Sequence, residues 1–503
     1  MAIRSMTQSL LVYCTLLFLS ACANKAVIEL DPVTSLPPER PAVDPTLGRR
    51  LHPTVEAYFG RYANDGLQGY VQRVGEQLVA RNFNNPPVYR FTVLDADEAN
   101  TFSLPGGYVY ITRGLLAYLT SEAQLAALLA HELGHQATGR FPYDASHVEG
   151  GAPSLQRLER ALYAEEAAEG LPSTPNVVDL LTTDQIDPRV ELATFQQAAL
   201  ILAKGGYDPR VLTELRNLFF APLDERREID PANPGVKSRL HDYHGMVKFT
   251  AEELTALDRY VSEAGQQQAP IPPDMLVRDH YYFQAIDGLS LAGSDANGVK
   301  RGGRIFHKEA GVTMVLPLGW PVVLRRQWAV AQAPDGMAYL TLSHQEVAAR
   351  ISPKKFMEKV FGHANLKSGD VEIVNRDKQG GFNARVVMET LYGRRSKQVK
   401  VIYVGTRAMI LESVSAVEPP PQRYAKEIAN AGRTLRPLKE RESTLAGATQ
   451  LEIKRVAKAT TLRLLASPVK HEPTSIEQLR LLNQLAPGAE PRVGQYLKLV
   501  IEP

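Results

Sequence analysis

Two histidines and a glutamate in the run His131-Glu132-Leu133-Gly134-His135 have the types and the spacing of a metal-hydrolase site. On an α-helix, residues four apart lie about 40° apart around the axis, so both imidazoles can turn toward one ion. Glu132 lies one step round, where its carboxylate can reach a water on that ion without being a ligand. Such a placement suits a general base. A zinc hydrolase also needs a third protein ligand and an open position for water, which the rest of the chain has to supply.

The elements around the motif are legible. Ser121 followed by Gln124 reads as a capping box, the run from Leu125 to Ala130 is strongly helix-forming, and Gly139 is a stop signal. The apolar spacing from Leu51 to about Ala80, clearest at Tyr70, Val71, Val74, Leu78 and Val79, is helical, whereas Tyr89 to Leu94 alternates as a strand does. Pro105-Gly106-Gly107 is a turn, and Tyr108 to Thr112 a second strand. Downstream, Asp187-Pro188 opens a helix that runs to Lys204 before Gly205-Gly206, with Glu191 as the one carboxylate inside it.

Asn100-x-Phe102, Pro105-Gly106-Gly107, Arg113-Gly114-Leu115-Leu116 and His131-Glu132-Leu133-Gly134-His135, in this order, resemble the M48 family of zinc metallopeptidases. The resemblance implies an α+β fold with a mainly helical zincin-like (gluzincin) core and a small sheet. It implies one zinc ion and peptide-bond hydrolysis, with Glu132 as the catalytic base. It places the strand Tyr108 to Thr112 beside the motif helix, as an edge that could hold extended substrate by β-augmentation. The family's third ligand lies in a Glu-x-x-x-Asp pattern about fifteen residues before a Gly-Tyr-Asp-Pro-like segment. Counting back from Gly206-Tyr207-Asp208-Pro209 reaches Glu191, so the implied metal ligands are His131, His135 and Glu191. The pattern is broken at Phe195, which stands where the family has its Asp. Glu165, Glu166 and Glu169, in a polar stretch, are rivals to Glu191, and His241 or His244 is a candidate for the oxyanion side of the site or for covering it.

At the start, Arg4 precedes an apolar run from Leu10 to Leu19, too short to span a bilayer comfortably. Leu19-Ser20-Ala21-Cys22 resembles a bacterial lipobox, which implies cleavage before Cys22 and lipidation of that residue. Ala23 in place of Asp implies sorting to the outer membrane, facing the periplasm. Cys14 and Cys22 are the only cysteines, so the mature chain would hold no disulfide even in an oxidising compartment. With 44% hydrophobic and 22% charged residues the chain is ordinary globular material, and a net charge of +2 gives no basic footprint for nucleic acid.

The expected organisation is a lipoprotein signal at 1–22, a Pro-rich tether at 23–50, the peptidase domain at 51–268, an α+β accessory domain at 269–447 and a module at 448–503. That last module, strand then helix then strand, resembles LysM and carries the expectation of a peptidoglycan contact. A polar insert at 141–184 separates the two site helices. The resemblance further implies unfolded or misfolded envelope proteins as substrates. The alternative is a catalytically weak or silent chaperone or scaffold lipoprotein that retains the fold, with Phe195 as its motive.

Overall fold

The computed structural model describes residues 46–84, 86–139, 188–220, 251–266, 279–347, 351–361, 371–376, 381–388, 390, 392–466 and 476–502. Cys22, the tether, the insert at 141–184 with Glu165, Glu166 and Glu169, and both His241 and His244 lie outside them.

The helical stretch predicted over 51–80 is two helices, α1 (Leu47–Phe59) and α2 (Asp65–Asn82), separated at Gly60. Asn64 caps α2 by accepting a hydrogen bond from Leu67 N. Three short strands follow, β1 (Arg90–Leu94), β2 (Thr101–Leu104) and β3 (Tyr108–Thr112), then α3 (Arg113–Tyr118) and the motif helix α4 (Glu122–Thr138). Beyond the insert come α5 (Pro188–Gly205), α6 (Val211–Phe220) and α7 (Ala251–Gln266).

One expectation is corrected by the sheet. Its order is β1-β3-β2, so Tyr108 to Thr112 is the middle strand, parallel to β1 on one side and antiparallel to β2 on the other. The reason is that Tyr89 to Leu94 folds back to pair with it, which occupies the edge that the sequence reading left open. The strand that meets the motif helix is β2: Ser103 Oγ donates to Glu132 O at 3.4 Å, and Gln136 Nε2 to Leu104 O at 2.7 Å.

A short helix, α8 (Asp279–Ile286), and β4 (Ser290–Ala292) lead into the second half. There β5 (Val299–Arg301), β6 (Arg304–His307) and β7 (Val312–Val315) form a small antiparallel sheet. A larger one is built from β8 (Val322–Leu324), β9 (Trp328–Gln332), β10 (Ala338–Glu346), β11 (Val371–Arg376), β12 (Phe382–Met388), β13 (Arg395–Val404) and β14 (Arg407–Ser415), in the order β11-β12-β13-β14-β10-β9-β8. Helices α9 (Pro353–Phe361) and α10 (Gln422–Thr434) pack on it through Phe356 and Met357 and through Tyr424 and Ala431.

The two halves share a core. Leu51, Val55, Tyr58 and Phe59 of α1 and Phe102 and Tyr110 of the first sheet pack in one cluster with Trp328, Val330, Tyr339 and Val414 of the large sheet. Apolar burial of this kind stabilises by about 25 cal/mol per Å² removed from water, so α1 acts as the cement between the helical half and the large sheet.

The tail supplies β15 (Arg436–Pro437), which pairs with β7, then β16 (Thr449–Arg455), α11 (Ile476–Leu482) and β17 (Tyr496–Ile501). Strands β16 and β17 pair antiparallel, and β4 adds to the other edge of β16. This module is keyed to the end of α3. Lys498 is fully buried, and its Nζ donates to Ala117 O at 2.7 Å and Leu119 O at 2.9 Å. Burial pushes its amine well below the ordinary lysine pKa. Beside it, the side chains of Gln484 and Gln124 bond each other reciprocally at 2.9 Å, and Gln484 Nε2 also donates to Tyr118 O. Lys498→Met keeps the stem but leaves two buried carbonyls unpaired; the expected result is a loss of about 1–3 kcal/mol, read as a lower urea midpoint at unchanged slope.

Candidate metal centre

Helix α4 begins as its sequence requires at one end and departs from it in a detail. Ser121 accepts from Gln124 N at 3.1 Å, the first half of the capping box. The returning bond goes one residue further back than the box prescribes, from Thr120 N to Gln124 Oε1 at 2.8 Å. Gly139 closes the helix with φ 61, the left-handed conformation that glycine adopts without steric cost. In the first turn the buried Glu122 accepts from Tyr70 OH and Tyr207 OH, both at 2.9 Å. Tyr207 belongs to the Gly-Tyr-Asp-Pro segment, so this carboxylate ties the start of the motif helix to α2 and to the turn after α5.

Helix α5 starts at Pro188 and brings Glu191 to α4. Gly134, the fourth residue of the motif, permits that approach: a Cβ there would stand 2.8 Å from Thr194 O and 3.1 Å from Thr194 Cγ2. Any side chain at 134 would push α5 away.

His131, His135 and Glu191, all buried, form the one His/Cys/Asp/Glu cluster able to hold a metal among the described residues, with their ligating atoms within 4.8 Å of one another. His131 Nε2 is 3.0 Å from Glu191 Oε2, and His135 Nε2 is 3.4 Å from Glu191 Oε1. The two imidazoles stand nearly perpendicular, at 87° with centroids 4.8 Å apart. The fit to zinc is good. Bond lengths of about 2.0–2.2 Å to nitrogen and oxygen in a tetrahedron separate the ligands by roughly 3.4 Å, close to both spacings. Glu191 Oε1 is buried without a hydrogen-bond partner, a costly arrangement for a carboxylate oxygen that has no cation to serve. Two imidazole nitrogens and a carboxylate are the donor types of a catalytic zinc set, in which water takes the fourth position.

Glu132 is also buried, on the same helix, and is not one of the three clustered groups. Its Oε1 is 3.7 Å from His131 Nδ1. For His131 burial disfavours the charged form, but the carboxylates of Glu132 and Glu191 outweigh it and push the pKa up to about 10. For Glu191 burial works the other way and is again outweighed, here by His135 and His131, so its pKa is lowered. An ion at the cluster needs a neutral His131, so protonation of that imidazole competes with metal binding and affinity falls as pH falls.

Two neighbours escaped the sequence reading. Thr194 Oγ1 lies 3.3 Å from His135 Nδ1 and 2.9 Å from Val190 O, and Ser103 reaches the backbone of Glu132. Thr194 had a signal, since it stands three residues after Glu191 and so on the same face of α5. Ser103 had none, because its nearness depends on the sheet order. Phe195, where a carboxylate was expected, packs its ring against His131 with centroids 4.7 Å apart.

Residues 66–165 match the model for peptidase family M48. That span contains the motif helix and ends before Glu191, whose place in the cluster is a matter of geometry. Among curated proteins, the putative beta-barrel assembly-enhancing protease of Vibrio cholerae is 28% identical over 141 residues, 26% of this chain and 27% of its own length. The beta-barrel assembly-enhancing protease of Escherichia coli K12 is 33% identical over 69 residues, 14% of each chain. The mitochondrial metalloendopeptidase OMA1 of Schizosaccharomyces pombe is 37% identical over 67 residues, 13% of this chain and 20% of that one. The chain thus spans less than a third of the length of each of these relatives.

Proposed function

We propose, from the premise that the chain carries a peptidase domain of family M48, that it is a zinc endopeptidase of the bacterial envelope. In this reading it is held by lipid at Cys22 on the periplasmic face of the outer membrane, with the peptidase domain at 51–268 ahead of an accessory domain and a C-terminal module. No described helix is long and apolar enough to cross a membrane. The observation that carries the reading is the convergence of His131, His135 and Glu191 from two helices, with Glu132 beside them and outside the cluster. Relatives named for β-barrel assembly support misfolded or stalled outer-membrane and periplasmic proteins as the substrate class.

His131, His135 and Glu191 would hold the ion, which when bound supplies a Lewis acid and a water acidic enough to ionise near neutral pH. Glu132 takes up the proton of the attacking water and delivers it to the leaving amine, the role of one carboxylate acting as base and then as acid. Strand β2 ends the strand order of its sheet and meets α4 through Ser103 and Leu104, so in this reading it is the strand that would align an extended peptide by main-chain hydrogen bonds. Phe195 favours a second reading, a scaffold that keeps the metal and cleaves little.

The test is the zinc content of the purified protein beside a Glu191→Ala variant. About one zinc per chain is expected in the wild type, and in the variant a loss of at least ~10-fold in affinity, since a ligand rather than its support is removed. Full zinc retention in the variant would place the third ligand elsewhere. No zinc in either protein after reconstitution would remove the enzyme reading.

A further inference from the structure

The two histidines are supported unequally behind the face that meets Glu191. Thr194 Oγ1 gives its proton to Val190 O at 2.9 Å and lies 3.3 Å from His135 Nδ1, which places a lone pair where it can accept an N–H from that nitrogen. Such a contact favours the tautomer with its proton on Nδ1, in which Nε2, 3.4 Å from Glu191 Oε1, carries the lone pair a metal ligand needs. His131 has no counterpart. Its Nδ1 is buried without a hydrogen-bond partner, and Glu132 Oε1, 3.7 Å off, is out of reach. The ring is covered instead by Phe195, four residues after Glu191 on the same face of α5, tilted 49° to the imidazole.

An imidazole that binds through Nε2 carries its proton on Nδ1. An acceptor there raises the basicity of the ligand and locks the ring, and losing one costs about 10–100-fold in metal affinity. We propose that Phe195 is a positioning residue that makes His131 the weak ligand: ring packing aims the imidazole, the Nδ1 proton has no acceptor, and the centre exchanges its metal readily. The proposal rests on the zinc reading above. On this account the enzyme's active fraction follows the free zinc concentration, which a tightly held centre would not.

The experiment is zinc competition against a chromophoric chelator, with the full protein as wild type, Phe195→Asp, Phe195→Asn, Phe195→Leu and Thr194→Val. Expected are affinities roughly 10–100-fold tighter for the Asp and Asn variants and weaker by a similar factor for Thr194→Val. Phe195→Leu, which removes the ring and adds no acceptor, should release zinc several-fold faster than wild type. Asp and Asn variants that bind zinc no tighter overturn the proposal. Because position 195 is buried, those two variants can fail to fold; the release rate of Phe195→Leu then decides, and a rate equal to wild type overturns it. A wild type that binds no zinc at all removes the zinc reading itself, whereas stoichiometric zinc with no gain at position 195 removes this inference and leaves that reading standing.

Discussion

Glu132→Gln is expected to lower peptide-bond hydrolysis by about 10²–10⁴-fold, the usual worth of a general acid–base group, and to leave one zinc per chain. The amide keeps the shape of the carboxylate but cannot take up a proton. Ligation is untouched, because the cluster consists of His131, His135 and Glu191 and the Glu132 carboxylate lies outside it. The backbone of Glu132 is held through its carbonyl by Ser103, a contact that the substitution does not alter. Cleavage of an unfolded substrate such as reduced casein, with zinc measured on the same samples, separates the two readings of the protein. A Gln variant as active as the wild type would mean that the wild-type activity does not come from this site, and would favour the scaffold.

Arg113→Met is expected to destabilise the fold by about 3–5 kcal/mol, as breaking a buried ion pair by removing one partner does. Arg113 is fully buried; its Nε donates to Asp95 Oδ1 at 2.7 Å, its Nη1 to Ser290 O at 2.8 Å, and its Nη2 to Asp97. Burial opposes its charge, but the two aspartates outweigh it and raise its pKa further. The same aspartates hold the loop after β4: Ser294 Oγ donates to Asp95 Oδ2 at 2.7 Å and Gly293 N to Asp97 Oδ2 at 2.8 Å. Methionine fills the volume of the stem and leaves the buried Asp95 carboxylate without its cation. The loss therefore reaches both the loop between β1 and β2 and the strand β4 that completes the tail sheet. Urea unfolding checks the magnitude, and a second transition would show the tail separating from the helical half.

Helix α4 was legible because everything that makes it is local. Ser121, the Leu and Ala run and Gly139 cap, propagate and stop it, and the two histidines fall on one face through helical period alone. Glu191 was reachable only through the resemblance, since the residues between it and His135 carry no periodicity that links them. The strands of the second half carry a local signal too, as in the β-branched and apolar runs Val399 to Val404 and Met409 to Val414. Their partners were not, because strand order depends on which edges remain open once the chain has collapsed.

The sequence by itself therefore determined the chemistry on offer: two imidazoles and a carboxylate on one helix, a second carboxylate on another, and no disulfide framework to brace them. The tertiary structure alone decided how these parts are used. It placed β2 rather than β3 at the edge beside α4, joined α1 to the large sheet in one core, and seated Lys498 on the end of α3. It also packed the His131 ring against Phe195 and left its Nδ1 without a hydrogen-bond partner. The physical reason is the same in each case: hydrogen-bond satisfaction and close packing are settled between segments far apart in the chain, and a linear pattern carries the periodicity of a segment but not the identity of its neighbour.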